Sequence, residues 1–322
     1  MSFKSYPFQF QPILKERIWG GTKLKSELNK PITSNITGES WELSTVKGDV
    51  SVIANGDYEG KSLQEIIENY PAELLGERVY KKFGAEFPLL FKFLDAREDL
   101  SIQVHPNDEL AQKRHHSFGK TEMWYVMQAD AGSRIIAGFK HDSNREEFLS
   151  HVHNNTIVDI LGAVPAKAGD VYFLETGTVH AIGAGVLIAE IQQTSDITYR
   201  IYDFDRVDAN GNKRELHLDL SLDAINYKAS TALQSHTDET NKVNTLVDCP
   251  YFTTNLIPLD GEYKSDIPGG TFSVYMLAKG NATMTVNGSE YQYNQGDTIL
   301  IPADLKGVSF SGKADLLEIY IS

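Results

Sequence analysis

The segment Gly169-Asp170-Val171-Tyr172-Phe173-Leu174-Glu175-Thr176-Gly177-Thr178-Val179-His180 aligns without a gap onto Gly296-Asp297-Thr298-Ile299-Leu300-Ile301-Pro302-Ala303-Asp304-Leu305-Lys306-Gly307. Both copies read as a turn, a short apolar strand and a second turn, and both lead into another apolar run, at residues 186–192 and 316–321. A strand-and-turn unit repeated in the two halves of a chain predicts two related β units. The rest of the sequence agrees, because its apolar and alternating runs are short and are broken by Gly, Pro, Asn and Asp; residues 86–94, 100–105, 123–127 and 298–301 are examples. Helical signals are few. Ser62-Leu63-Gln64-Glu65 and Ser143-Asn144-Arg145-Glu146 read as capping boxes, and residues 107–115 as a helix begun after Pro106. The expected fold is mainly β, two jelly-roll barrels with a few helical insertions on the first. The polar stretch 229–244, too poor in apolar residues for a core-facing element, is the expected linker and divides the chain into residues 1–240 and 241–322.

A chain of 322 residues is long enough for about two domains. Its 44 acidic against 30 basic residues give a formal net charge of −14, which repels phosphodiester backbones and anionic lipid and argues against nucleic-acid and membrane-surface roles. Cys249 alone cannot form an internal disulfide. Residues 1–12 hold no signal-like apolar run, and residues 181–189 are too few to span a bilayer. A soluble, cytoplasmic protein is expected. Two phosphate-binding look-alikes are dismissed. Residues 56–62 have one residue too few between the glycines of a phosphate loop, and Gly183-Ala184-Gly185 lacks the third glycine of a dinucleotide fingerprint.

Along residues 100–105 the two-residue period of a strand puts Ser101, Gln103 and His105 on one face and Ile102 and Val104 on the other. The same period groups Lys120, Glu122 and Trp124. With His180 entering from the turn after the first repeat strand, an amide, a carboxylate and two imidazoles can converge on a metal. Nitrogen and oxygen donors without a thiolate suit zinc or another divalent first-row ion, and an unfilled position would make the site catalytic. Gly307 stands where the first copy has His180, so one metal per chain is expected, in the first unit. His115, His116, His141, His151, His153, His217 and His236 are read as solvated or ordinary structural residues.

Gly169, then five residues, then Glu175-x-Gly177-x-x-His180 resembles the second half-motif of the cupin superfamily, with Glu175 in place of the usual proline. A closer resemblance runs over about residues 19–204. Phe87-Pro88-Leu89-Leu90-Phe91-Lys92-Phe93-Leu94-Asp95-Ala96, Leu100-Ser101-Ile102-Gln103-Val104-His105-Pro106-Asn107, Lys120-Thr121-Glu122-Met123-Trp124-Tyr125-Val126 and Thr198-Tyr199-Arg200-Ile201-Tyr202-Asp203-Phe204 look like type I mannose-6-phosphate isomerase. Trp19-Gly20-Gly21 and Gly38-Glu39-Ser40-Trp41 are similar to its N-terminal segments. The resemblance implies cupin-like barrels and a zinc-dependent isomerase of mannose 6-phosphate and fructose 6-phosphate, whose partner is a small phosphosugar. It implies one Zn2+ per chain held by Gln103, His105, Glu122 and His180, with Arg200 as the catalytic arginine and Ser101 and Lys120 beside the substrate, at its phosphate. Thr121 departs from a common proline. The stretch between Glu122 and His180 is too short for a large helical insertion, as in short bacterial members.

Interconverting an aldose and a ketose requires moving a carbon-bound proton between neighbouring carbons through an enediolate, and a cation stabilises the oxygen charge that develops. Arg200 supplies a permanent charge, unless it forms a structural ion pair with Asp203 or Asp205. The proton-transferring base is left open among zinc-bound water, Glu39 and Lys120, while Lys92 and Trp19 are candidates for the pocket wall. Two other functions compete: a metal-dependent cupin oxygenase, and a non-catalytic sugar-binding cupin.

Overall fold

The computed structural model describes residues 2–207, 210–266 and 269–322. In the strands Leu89–Ala96, Glu122–Ala129 and Val186–Gln193, alternate side chains go to different apolar clusters. Phe91, Phe93, Met123, Tyr125, Leu187 and Ile191 face one way. Leu94, Ala96, Trp124, Val126, Val186 and Ile188 face the other, as the pleat of a strand dictates. These strands lie in the middle of a seven-stranded antiparallel sheet, ordered Ile13–Gly21, Thr37–Leu43, Leu89–Ala96, Val186–Gln193, Glu122–Ala129, Val171–Leu174 and Leu233–Gln234. A five-stranded sheet, ordered Tyr199–Tyr202, Ile102–Val104, His180–Ile182, Arg134–Phe139 and Leu161–Pro165, covers its inner face. Ile135, Ala137 and Ile182 of this smaller sheet share one cluster with Trp124 and Ile188 of the larger. The smaller sheet buries its outer face under the helices Arg145–His153 and Leu218–Ala224, through Phe148 and Leu222.

The second half is a six-stranded sheet whose long strands Thr253–Lys264, Ser273–Val286 and Ser309–Tyr320 enclose Leu259, Tyr275, Leu277, Met284, Ile299 and Phe310. Its other face, with Leu256, Val274, Met276, Leu317 and Ile319, joins Phe91 and Ile191 of the first half in one apolar cluster. Each such fully buried side chain contributes about 1.5–3 kcal/mol relative to exposure, so the two halves are fused by a continuous hydrophobic layer. The repeat is visible in the fold: Val171–Leu174 and Thr298–Ile301 are both strands. The architecture is mainly β, with helices inserted chiefly in the first half, as the run lengths require. No helix among the described residues is long and apolar enough to cross a membrane.

Two local expectations need correction. Ser62 and Glu65 do form a reciprocal capping box, but the second helix is capped by Asn144, whose side chain accepts from Glu146 N and Glu147 N. Ser143 instead donates to the Glu147 carboxylate, so the start lies one residue further on because the amide oxygen reaches two orphan N–H groups. The stretch 229–244 is not only a linker. Leu233–Gln234 adds an edge strand beside Val171 and Tyr172, and Ala232 is buried in the first core, since main-chain pairing needs no apolar run.

Candidate metal centre and its cavity

Strand register assembles the site. His180 stands opposite Gln103, and Gln103 opposite Arg200, so three adjacent strands of the smaller sheet present these side chains at one level. Glu122 comes from the facing sheet, on the same inward side as Trp124. The donor atoms of His105, Glu122 and His180 lie within 4.8 Å of one another, and all three residues are buried. His105 Nδ1 donates to Ile197 O and His180 Nδ1 to Thr178 O, each at 2.8 Å. These bonds fix the tautomers and leave both Nε2 lone pairs directed into the group, as metal-binding imidazoles require. Glu122 Oε1 is buried with no hydrogen-bond partner and lies 3.3 Å from His180 Nε2. Two acceptors facing each other away from water are unfavourable unless a proton or a cation sits between them. The residues therefore fit a divalent ion. Gln103, half-buried, stands beside the group with its amide nitrogen 3.3 Å from His180 Nε2; a half-turn of the amide presents its oxygen instead.

Burial, then the Lys120 charge, pushes His105 well below its ordinary range and His180 down to about 4, which keeps both imidazoles neutral near pH 7. Burial also lifts the Glu122 carboxyl, to about 7, against the opposing pull of Lys120. For His180 the sign is that of a depressed pKa. Its contribution is intact above its ordinary 6.5 and is lost as the pH falls towards about 4, because only the unfolded chain takes up the proton in that window. The metal-free protein is expected to lose thermal stability between those values more steeply than His180→Gln, as thermal melts across the range will read; parallel curves would refute it.

Lys120 Nζ donates to Glu122 Oε2 at 2.7 Å and to His105 Nε2 at 3.0 Å, and the residue is only 5% exposed. Beside it runs a buried pair that the sequence reading missed. Glu190 accepts from Lys92 Nζ and from Trp124 Nε1, both at 2.8 Å, because Glu190 is in register with Lys92 on one side and Trp124 on the other. Burial opposes its ionisation, but Lys92 and Lys120 outweigh it and hold its pKa at about 2. The signal was a lone carboxylate in the apolar run 186–191. The second half keeps the pattern without the charge pair: Glu318 is in register with Asn255 and Tyr275, and accepts from both.

This group opens on a cavity of about 640 Å³ whose wall includes Trp19, Lys92, Ser101, Gln103, Lys120 and Arg200. Arg200 Nε donates to Ser101 Oγ at 3.3 Å, and its backbone N–H to His217 Nδ1 at 3.1 Å. The structural ion pair considered for Arg200 is not formed: Asp203 is held by Arg206 and Arg214, and Asp205 by Lys213. Glu39 also lines the cavity, yet its oxygens are engaged by Arg17 at 2.8 and 3.1 Å and by Trp41 Nε1 at 2.6 Å. His217 and His115 are ordinary structural residues, His217 accepting the Arg200 N–H and His115 bonded through Nε2 to Tyr199 OH.

Known proteins share this fold. The family description "Phosphomannose isomerase type I, catalytic domain" matches residues 8–135, and "Mannose-6-phosphate isomerase, cupin domain" matches residues 242–321. The mannose-6-phosphate isomerase of Streptococcus mutans is 37% identical over 97% of both chains. A crystal structure of the mannose 6-phosphate isomerase from Bacillus subtilis superposes with a TM-score of 0.89 at 32% identity, covering 98% of this chain and 99% of that one. A putative mannosephosphate isomerase from Archaeoglobus fulgidus, 22% identical, shares the fold with a TM-score of 0.82 over 100% of this chain and 99% of its own. Full-length identity of this order, together with the two domain matches, places the chain in the type I phosphomannose isomerase family.

Proposed function

We propose that this protein is a zinc-dependent isomerase that interconverts mannose 6-phosphate and fructose 6-phosphate through an enediolate. The observation that carries the reading is the tethered, buried His105/Glu122/His180 group opening on a polar cavity with Lys120 and Arg200 on its wall. Gln103, His105, Glu122 and His180 hold one ion per chain. When bound, zinc supplies Lewis-acid stabilisation of the sugar oxygens on the reacting carbons. Arg200, its Nη1 anchored on Glu215 O and its Nε on Ser101, aims a planar cation at the same oxygens. Catalysis belongs to residues 1–240, and residues 241–322 form a metal-free supporting unit.

The position of Lys120 refines its role. With Nζ against Glu122 and His105 it lies at the ligand group, so we assign it to the reacting carbons, and the phosphate to Ser101 and Arg214 on the cavity wall. Lys120→Ala is expected to keep its zinc and lower kcat about a hundredfold, with KM within about threefold of wild type. Steady-state kinetics with metal analysis decide: a raised KM at unchanged kcat would return Lys120 to the phosphate. A coupled assay for fructose 6-phosphate formed from mannose 6-phosphate by the zinc-loaded protein tests the function itself. No turnover there would reject it.

A further inference from the structure

Lys120 lies in the loop 118–121 that leads into Glu122–Ala129; its own N–H donates to Pro106 O at 3.3 Å, and the residues on either side of it are held by side chains from other elements. Gly119 N–H donates to Asp108 Oδ1 at 2.8 Å, and Thr121 N–H to Gln193 Oε1 at 2.9 Å. Gln193 Nε2 donates in turn to the same Asp108 Oδ1, at 2.9 Å, which ties both sides of Lys120 to one carboxylate. A Cβ at Gly119 would lie 2.7 Å from Asp108 N, so only glycine permits this approach. Asp108 opens the helix Asp108–His115, but Asn107 already caps it, which leaves the Asp108 oxygens for other partners. Oδ2 takes the hydroxyl of Tyr251, at 2.7 Å, and Tyr251 belongs to the second half of the chain, in the turn between Asn244–Asp248 and Thr253–Lys264. Two hydrogen bonds and one peptide unit separate that phenol from the Lys120 backbone.

We infer that Tyr251 is a positioning residue for the isomerisation: through Asp108 it locks residues 119–121, and so the placement of the Lys120 ammonium beside Glu122 and His105. The metal-free half thereby completes the active site of the other half. Unlocking the segment leaves His105 and His180 on their tethers to Ile197 O and Thr178 O, and Glu122, the ligand that adjoins the segment, in register with Leu174 and Gln192, while Lys120 samples positions off the reacting carbons. The inference rests on the isomerase reading and on Lys120 as an active-site residue.

The test is a double-mutant cycle on the zinc-loaded full chain: wild type, Tyr251→Phe, Lys120→Ala and the double variant, with mannose 6-phosphate. Tyr251→Phe keeps the ring and removes one hydroxyl. It is expected to lower kcat about five- to tenfold at unchanged KM and zinc content, while the double variant is no slower than Lys120→Ala alone. Wild-type kcat in Tyr251→Phe, its loss multiplying in full on the Lys120→Ala background, or a loss that tracks zinc content would each overturn the inference. An inactive wild type would instead reject the isomerase reading and take this inference with it. Should Tyr251→Phe fail to fold, Asp108→Ala carries the same cycle, because it removes the carboxylate that joins Tyr251 to Gly119 and Gln193 while Asn107 still caps the helix.

Discussion

His180→Ala should lose metal and activity together, retaining less than about a tenth of an equivalent of zinc after dialysis. The imidazole is buried, neutral and tethered to Thr178 O, and its removal leaves Glu122 Oε1 facing an empty volume with one nitrogen donor fewer. His105→Ala should behave alike, since its tether to Ile197 O makes it the matching half of the pair. Binding to the folded state alone couples the ion to stability, so chelator should lower the melting temperature of wild type and leave these variants unmoved. Elemental analysis of wild type should read about one zinc per chain. Gly307, which replaces the second imidazole, stands in a loop at φ +76° with nothing within 4 Å of where a Cβ would sit, so the second unit has no donor there. Full occupancy in either variant would overturn the ligand assignment, and two ions in wild type would overturn the asymmetry.

Arg200→Lys should keep fold and zinc and lose about 10²- to 10³-fold in turnover. The guanidinium is fixed at Ser101 Oγ and Glu215 O, with its backbone on His217, so its free edge is aimed without further ordering. An ammonium cannot hold both anchors and also present an aligned donor to the enediolate. The measurements are kcat at saturating mannose 6-phosphate and exchange of the C2 proton into deuterated solvent, at matched zinc occupancy. Loss of both places Arg200 at the enediolate or at the ring opening before it. Near-normal values in the variant would assign it to structure, where Asp203, already satisfied by Arg206 and Arg214, offers it no partner.

Two things were legible in the sequence: the strand faces that the candidate ligands occupy, and the half of the chain that could hold an ion. The two-residue period is a property of the backbone, so Gln103 and His105, within and just past the end of one strand, turn to one side, as Glu122 and Trp124 do on another. The internal repeat likewise marks His180 and its missing counterpart at Gly307 without reference to any fold. Which faces meet is settled by packing. Lys92 and Glu190 pair across 98 residues of chain, Lys120 lands on His105 and Glu122 rather than at the cavity's far wall, and Tyr251 reaches Asp108 across 143 residues. Register between strands is set by the joint packing of whole sheets, and a one-residue slip would turn every side chain to the opposite face, so no local pattern encodes those pairs.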